Sequence, residues 1–386
     1  MMKNGLKKRM LVLMMAGVLT VSAVSYSTVV FAEETTEETV TLGIENAANF
    51  QIEYLENSVK LVTDADGNKL LLVPEETEAP EGYDATVITT PIKNALYTST
   101  TYVGLMGALN DESLYDTIAG VTTPVENWTT PQIIERMESG DIAYIAQDHW
   151  TAGNIEEITE LQPDVVLVDG YDEAGVQLRA QLDEIGIPYV VISELMEATG
   201  EGQLEWMKLF GALYNLDEEA DAIYEAKLAR MDELKAVAAE IPEEDRPVVA
   251  LGMIYDGIVY TQGGSSSTAA QIEAAGGVYA LSELEGDGSV QIGMEEFVEQ
   301  AKDADIVIYS SSITYTPDKA YLADLDPLLT EFKAWQDDTF YVYGKGYYMN
   351  SAAIDEKFED MMAIIHPELM EGYELIHYEK LPEVAE

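Results

Sequence analysis

The sequence has 386 residues, with 72 acidic and 20 basic side chains, a formal net charge of −52 and no cysteine. An apolar fraction of 47% over this length is sufficient for two core-forming domains. The strong negative charge excludes nucleic acid and anionic lipid as favourable partners, and the lack of cysteine excludes disulfides.

The first 32 residues differ from the rest of the chain. Four basic residues precede an apolar run from Met10 to Val24. Val30 and Ala32 then supply the β-branched and small side chains that a signal peptidase recognises before its cleavage site. This pattern predicts a signal peptide over residues 1–32. A retained membrane anchor is the alternative, but the run is shorter than the ~20 residues that a spanning helix needs. With no cysteine to carry a lipid, we expect export to the periplasm or cell surface without a lipid anchor.

Residues 33–83 are predicted to form an acidic leader followed by a small β-meander. The leader is EETTEE, and the strands alternate apolar and polar residues from Asn49 to Pro74. The segment DADGN, Asp64 to Asn68, resembles the start of a calcium loop, but Lys69, Leu70 and Leu71 follow where an acidic ligand would be needed. We therefore interpret it as a hairpin turn.

Buried strands alternate with helices over residues 84–215. The predicted strands are ATVITT, IAGVT, IAYIA, VVLV and YVVIS. Strands of this kind, separated by helices, are typical of a parallel sheet with right-handed crossovers. Residues 216–242 then follow as one uninterrupted helical pattern that ends at Pro242. A second α/β series occupies residues 243–386, so we predict two Rossmann-like lobes with parallel sheets, joined by one long rigid helix.

A helix-to-strand unit occurs once in each predicted lobe. The first copy is GNIEEITELQPDVVLVDG, residues 153–170, and the second is GMEEFVEQAKDADIVIYSS, residues 293–312. Both have a glutamate pair, a helical stretch, a Pro-Asp or Ala-Asp pair and a strand of branched apolar residues. The chain resembles the substrate-binding proteins of ABC importers for ferric siderophores, haem and cobalamin. The resemblance depends on the order of several segments: the two units, GIPYVVIS, the long helix, QIEAAGG, DPLLTEFKAWQDDTFYVY and IIHPEL.

The resemblance implies a non-catalytic protein that binds a ligand in a cleft between two lobes. The ligand would be an iron chelate, haem or a corrinoid, the partner an ABC permease and ATPase complex, and the protein a monomer. No cofactor is expected besides this ligand. An exported sensor or adhesin on the same scaffold is an alternative, as is an exported enzyme, but GGSSS lacks the G-x-S-x-G arrangement of a nucleophile elbow.

We expect the cleft at the carboxyl ends of the parallel strands, where the loops carry aromatic, hydroxyl and basic side chains. The candidate ligand-binding residues are Lys93, His149, Trp150, Tyr171, Tyr255, Ser265, Tyr315, Lys345, Tyr347 and Tyr348. Aromatic rings can stack on flat macrocycles or catecholate rings. For each tyrosine, ordinary packing or surface exposure is the alternative.

Charge and histidine content narrow the expected ligand. No arginine falls in a predicted mouth loop, and only Lys93 and Lys345 are basic there, so a neutral or weakly charged chelate is favoured over a strongly anionic one. The chain has three histidines, which is too few for a dedicated transition-metal site. His149 is the one in a mouth loop, where an axial contact to haem iron is conceivable.

The resemblance also gives a role to the repeated unit. Glu156 and Glu295 each stand at the start of the helix in one copy, and these positions resemble the paired carboxylates that dock onto arginines of the permease. The alternative is that each glutamate only stabilises the helix dipole, an effect worth ~0.3–1 kcal/mol.

Overall fold

The computed structural model describes residues 43–146 and 153–383, all within the unit Leu42–Glu386. The predicted signal peptide, the leader EETTEE and the candidates His149 and Trp150 lie outside the described residues. Within the described ranges, no helix combines the length and the apolar character needed to cross a membrane. Three sheets organise these residues.

The first sheet has four short strands: β1 (Gln51–Tyr54), β2 (Lys60–Thr63), β3 (Lys69–Pro74) and β4 (Thr86–Thr90). The strands follow chain order, with β1 to β3 antiparallel and β4 parallel to β3. The DADGN segment forms the turn between β2 and β3, where Oδ1 of Asp64 accepts from the backbone N–H groups of Asp66 and Asn68 at 3.1 and 2.8 Å. The hairpin prediction is confirmed.

The strand ATVITT corrects one part of the predicted organisation. It forms β4, but it pairs with β3 of the small sheet instead of starting the sheet of the first lobe. Thr86, Val87 and Thr89 are exposed, so the strand is not buried on both faces. The pairing of β3 with β4 crosses the boundary predicted at residue 84, so the small sheet extends to residue 90.

The sheet of the first lobe is entirely parallel, in the order β7-β6-β5-β8-β9. Its strands are β5 (Ala95–Tyr97), β6 (Ile118–Val121), β7 (Ala143–Tyr144), β8 (Val165–Asp169) and β9 (Tyr189–Ile192). The accompanying helices are α1 (Thr100–Gly107), α2 (Pro131–Ser139), α3 (Ile155–Leu161), α4 (Glu173–Ile185), α5 (Gly200–Glu205) and α6 (Met207–Tyr214). The interior strand β8 is fully buried from Val165 to Val168, as its apolar run predicts.

A long helix, α7 (Asp217–Ala238), joins the first lobe to the second. Its 22 residues span about 33 Å at ~1.5 Å per residue. Asp217, Glu218 and Glu219 occupy its first turn, where negative charge stabilises the helix dipole. The prediction of one continuous connecting helix is confirmed, although the helix ends four residues before Pro242.

The sheet of the second lobe is mixed. It has the order β13-β11-β10-β14-β15-β16, with β12 also paired to β10. The strands are β10 (Val248–Tyr255), β11 (Ile258–Gln262), β12 (Val278–Tyr279), β13 (Ser289–Ile292), β14 (Ile306–Ser312), β15 (Phe340–Tyr343) and β16 (Tyr378–Lys380). The helices are α8 (Ser267–Ala274), α9 (Met294–Ala301), α10 (Lys319–Leu325), α11 (Lys333–Gln336) and α12 (Ile354–Ile365).

The second sheet has the predicted parallel strands at its centre and additional antiparallel strands beside them. Strand β11 follows β10 through the two-residue turn Asp256-Gly257, whose φ angles are 50° and 74°. Positive φ at both positions favours a tight hairpin, so β11 pairs with β10 antiparallel. The strands β10, β14 and β15 remain parallel, which keeps the α/β character of the lobe.

The repeated unit has a structural basis in both lobes. In the first copy, Oδ2 of Asp164 accepts from the backbone N–H groups of Lys93 and Asn94 at 2.9 and 3.0 Å, which ties the start of β8 to the start of β5. In the second copy, Oδ2 of Asp305 accepts from the backbone N–H of Val248 at 2.8 Å, which ties the start of β14 to β10. The aspartate therefore fixes the register of a parallel strand pair in each lobe.

Candidate functional site

A cavity of about 390 Å³ lies between the two lobes. The first lobe contributes side chains from the start of α1, from the segment after β9 and from α5, and the second lobe contributes residues from β10, β11 and the segment between β15 and α12. The residues that line it are Thr101, Glu194, Leu195, Gly200, Gln203, Met253, Tyr260, Gln262, Thr268, Gln271, Ser289, Ser310, Tyr343, Tyr347, Tyr348, Ser351, Ile354 and Lys357. Such a lining of aromatic rings with a few convergent polar groups is typical of a small-molecule site.

Direct contacts between the lobes close one side of this cavity. The hydroxyl of Ser351 donates to the carbonyl oxygen of Thr101 at 2.6 Å, and that of Thr129 donates to the sulfur of Met349 at 3.2 Å. Gly104 on α1 lies so near that a Cβ at this position would clash with the carbonyl oxygen of Met349. The lobes therefore meet at backbone distance beside the site.

Stacked tyrosines form one wall of the cavity. The rings of Tyr343 and Tyr347 are parallel, with centroids 3.8 Å apart and an interplanar angle of 3°. Tyr348 and Tyr378 meet this pair edge-on, and the hydroxyls of Tyr347 and Tyr378 are 3.2 Å apart. Tyr348 is 52% exposed, so it presents ring surface that a ligand can cover.

Lys357 brings a basic group to the tyrosine wall. It lies in the first turn of α12, and its Nζ is 4.4 Å from the centroid of the Tyr347 ring, a cation–π distance. Burial lowers the pKa of Lys357 to about 8. Among the described residues, no carboxylate lies within ion-pair distance of its amine, so the lysine is available to an anionic or acceptor group.

Glu194 faces the cavity from the first lobe, and a second carboxyl, that of Asp169, lies behind it. Glu194, directly after β9, is 1% exposed, and its Oε1 accepts from the hydroxyl of Thr101 at 2.5 Å. Nearby, the hydroxyl of Tyr102 donates to Oδ1 of Asp169 at the end of β8. Burial raises the pKa of Glu194 to about 7 and that of Asp169 to about 6. Both carboxyls are thus poised to change protonation near neutral pH.

Tyr347, Tyr348 and Tyr315 are the sequence-predicted candidates that the structure places at an opening between the lobes. Tyr347 and Tyr348 line the interlobe cavity. Tyr315, 61% exposed, lines a second, open depression of about 690 Å³ together with Tyr144 and other residues of the first lobe. Of the predicted ligand-binding residues in the described ranges, Tyr347 and Tyr348 are therefore the two that line the interlobe cavity.

Lys93 is displaced from its predicted position. We expected it in a mouth loop after ATVITT, but its backbone N–H binds Asp164, directly before β8, so it lies at the amino-terminal edge of the sheet. Its side chain is exposed and paired with Glu75. The prediction was wrong because β4 belongs to the small sheet, which places its carboxyl end away from the cavity.

The other candidates in the described ranges lie outside the cavity lining. Lys345 and Ser265 are exposed, and Tyr255 is 67% exposed at the tip of the β10–β11 hairpin. Tyr171 follows β8 and is half-exposed, and partial burial together with the charge of Asp169 raises the pKa of its hydroxyl. His149 and Trp150 are outside the described residues, so their roles stay predictions.

Sequence reasoning missed Glu194 and Lys357. Glu194 directly follows the segment YVVIS, so a search of the loops at strand ends could have found it. Lys357 lies within a helix and reaches the cavity only because α12 packs beside the tyrosine wall. No local pattern in the sequence marks that position. Among the described residues, no group of three or more His, Asp or Glu side chains could hold a metal ion.

The two glutamates of the repeated unit are both accessible. Glu156 and Glu295 are exposed and lie in the first turns of α3 and α9. Each helix begins where a strand ends: the N–H of Asn154 bonds to the carbonyl of Ile145 just after β7, and α9 follows β13 directly. In each lobe this exposed carboxylate therefore lies at the edge of the sheet that also carries the cavity, next to a second exposed glutamate, Glu157 or Glu296.

Comparison with known proteins identifies the family. The periplasmic binding protein family matches residues 98–347. An uncharacterized lipoprotein of Methanocaldococcus jannaschii is 29% identical over 81% of this chain and 76% of its own, and a second lipoprotein of that organism is 26% identical over 82% and 81%. The solved structure of the haem-binding protein HmuT has a TM-score of 0.55 at 20% identity, covering 79% of this chain and 88% of its own.

The two lobes, the connecting helix and the interlobe cavity define a solute-binding protein rather than an enzyme. The chain belongs to the periplasmic binding protein family. The resemblance to the substrate-binding proteins of ABC importers is confirmed at the level of the family, and the likeness to HmuT shows the fold alone.

The expected localisation needs correction. We predicted an exported protein without a lipid anchor, but two relatives that match most of the chain are both named as lipoproteins, which contradicts that prediction. The prediction depended on the absence of a cysteine from the sequence. That single compositional feature was a poor basis for deciding how the protein is held at the cell.

Proposed function

We propose that this protein captures an iron chelate, haem or a corrinoid in the interlobe cavity and delivers it to an ABC importer. The observation that carries the proposal is the wall formed by Tyr343, Tyr347 and Tyr348 at an opening between two lobes. Tyrosine rings provide a large, rigid surface for a flat or aromatic ligand at small entropic cost. Family membership supports the binding role.

Ligand titration tests the capture step. Haemin, cobinamide and ferrichrome represent the three proposed classes, and calorimetry should show saturable 1:1 binding of at least one. Removal of the exposed ring in Tyr348→Ala should weaken that binding about tenfold, or ~1.4 kcal/mol. Tyr321→Ala is the matched control, because Tyr321 is 45% exposed on α10 and does not line the cavity. Equal effects of the two substitutions would contradict the assignment of the wall.

The delivery step rests on Glu156 and Glu295 as docking carboxylates. A lysine at either position would place like charges against a permease arginine, so Glu156→Lys and Glu295→Lys should abolish uptake and leave ligand affinity unchanged. Glu160→Lys and Glu299→Lys are matched controls, since both residues are exposed on the same helices one turn further along. Normal uptake by both docking variants would remove this role. Ligand binding with no uptake by the wild type would favour a sensor or adhesin instead.

A further inference from the structure

Glu194 has an unmet hydrogen-bonding group inside the cavity lining. The side chain is 1% exposed, and Oε1 is satisfied by Thr101. Its second oxygen, Oε2, is buried and has no hydrogen-bond partner among the described residues. A buried carboxylate oxygen without a donor is unfavourable, and native proteins rarely leave one unpaired. The position therefore indicates that a donor arrives from elsewhere.

Lys357 is the complementary charged group that the second lobe contributes to the lining of the cavity. Every other charged neighbour on this part of α12 is already engaged by a different residue. Asp355 pairs with Lys227 at 2.8 Å, Glu356 meets Nε2 of His377 at 2.9 Å, and Glu359 pairs with Arg230. Lys357 is therefore a cation that the fold supplies with an aromatic face but, within the described ranges, with no counter-ion.

The other polar groups of the cavity lining fit a ligand that bridges Glu194 and Lys357. The amides of Gln203, Gln262 and Gln271 line the same cavity. An amide can donate or accept, so it suits the middle of a polar molecule without fixing its charge. The two charged residues have opposite signs and come from different lobes, so a molecule that binds both would also hold the lobes together.

Resting on the proposed function, we propose that the ligand is bipolar, with a carboxylate-type acceptor that pairs with Lys357 and an N–H or O–H donor that binds Glu194. The surroundings of both side chains support this assignment. Glu194 is buried and Lys357 is half-buried, so the loss of hydration raises the energy of each charged form until a partner arrives. Lys357 then takes the place of Lys93 and Lys345, which the sequence predicted as the basic residues of the ligand site. This pairing also narrows the ligand to one that carries a free acid group.

A matched pair of porphyrins tests the acidic pole in the wild-type protein. Haemin has free propionates, whereas its dimethyl ester has the same ring and no charged carboxylate. We expect calorimetry, with both probes in the same detergent buffer, to show at least tenfold tighter binding of haemin. Equal affinities for the two probes would overturn the acidic pole and leave capture itself intact. If the wild type bound none of haemin, cobinamide and ferrichrome, the proposed function would fail, and this inference with it.

Two variants test the named residues. Lys357→Met should weaken haemin binding at least tenfold and leave the affinity for the dimethyl ester within twofold, because the ester offers no anion to lose. Glu194→Gln keeps the shape of the side chain but replaces one acceptor oxygen with an NH₂ group. It should weaken the binding of cobinamide, whose amides and hydroxyl supply donors, at least tenfold and leave the affinity for haemin dimethyl ester, which has no N–H or O–H donor, within twofold. Lys357→Gln serves as a second substitution if the methionine variant does not fold. A Lys357 variant that melts like the wild type and binds haemin within twofold of it would overturn the acidic pole, and a Glu194→Gln variant that melts like the wild type and binds cobinamide within twofold of it would overturn the donor pole.

Discussion

At the scale of single residues, Glu194 links the site to the stability of the protein. Its carboxyl is raised in pKa to about 7 by burial, whereas a glutamate in an unfolded chain titrates near 4.3. Between about pH 4.5 and 7 the unfolded chain loses this proton while the folded protein keeps it. The free energy of unfolding should therefore fall as the pH rises through this window, with the contribution of Glu194 fully lost above pH 7.

Glu194→Gln isolates that contribution, because glutamine does not titrate. The variant should lose less stability than the wild type between pH 5 and pH 8, by up to ~3 kcal/mol. Asp169 remains in both proteins and titrates in the same direction, so the comparison cancels most of its effect. Urea unfolding at the two pH values provides the measurement. Parallel pH dependence in the two proteins would mean that Glu194 is charged and already satisfied.

The residues of the site were only partly predictable from the sequence. Tyr347 and Tyr348 follow a strand that the apolar pattern identified, and they line the cavity. Lys93 follows an equally clear strand, yet that strand pairs in another sheet, and strand pairing depends on contacts distant in sequence. Lys357 depends on the packing of α12, which no local pattern encodes.

At the scale of elements, the small sheet is fastened to the first lobe by a buried ion pair. Lys60 is 3% exposed, and its Nζ lies 2.7 Å from Oδ2 of Asp217 at the start of α7. The same amine donates to the carbonyl of Ala212 and the side chain of Asn215, each at 3.0 Å. These contacts make residues 51–90 an integral part of the fold instead of an appended segment.

Lys60→Ala should lower the free energy of unfolding by about 3 kcal/mol, because it leaves the carboxylate of Asp217 without its buried partner. Lys69→Ala is the control, since Lys69 is an exposed lysine on the neighbouring strand β3. That substitution should change stability by less than ~0.5 kcal/mol. Chemical denaturation of both variants compares them directly. A small effect of Lys60→Ala would show that the ion pair does not hold the sheet.

The contact between the lobes depends on Gly104. A side chain there meets the backbone oxygen of Met349, which cannot move aside as a flexible side chain can. Gly104→Ala should therefore cost about 1–3 kcal/mol and weaken ligand binding by shifting the lobes. Gly288→Ala, where a Cβ meets nothing within 4 Å, is the control. Thermal unfolding and a haemin titration of both variants measure the two effects, and equal melting temperatures would contradict the close approach.

At the scale of the whole molecule, the arrangement follows from elements that the sequence marks strongly. The parallel strands of the first lobe are continuous apolar runs, and α7 is a single helical pattern with an acidic start. The mixed character of the second sheet was less evident, because the turn Asp256-Gly257 separates two strands that each resemble a buried parallel strand. The hairpin signal was present in that dipeptide and outweighed the apolar pattern.

The two lobes also explain why one helix-to-strand unit occurs twice. In each lobe an aspartate fixes the register of a parallel pair, and an exposed glutamate begins the helix that precedes it. The aspartate stabilises the fold, whereas the glutamate makes no side-chain hydrogen bond or ion pair among the described residues and contributes at most the ~0.3–1 kcal/mol of a helix-dipole effect. The difference between the two residues supports the proposed docking role of the glutamates, and ligand binding is assigned to the cavity between the lobes.

The most direct test of ligand binding in the interlobe cavity is a crystal structure. The crystals should be grown with a saturating concentration of the tightest-binding probe among haemin, cobinamide and ferrichrome. We expect density for one probe molecule in the interlobe cavity, against the rings of Tyr347 and Tyr348, with Glu194 at one end and Lys357 at the other. A probe bound at any other surface, with the interlobe cavity empty, would contradict the account.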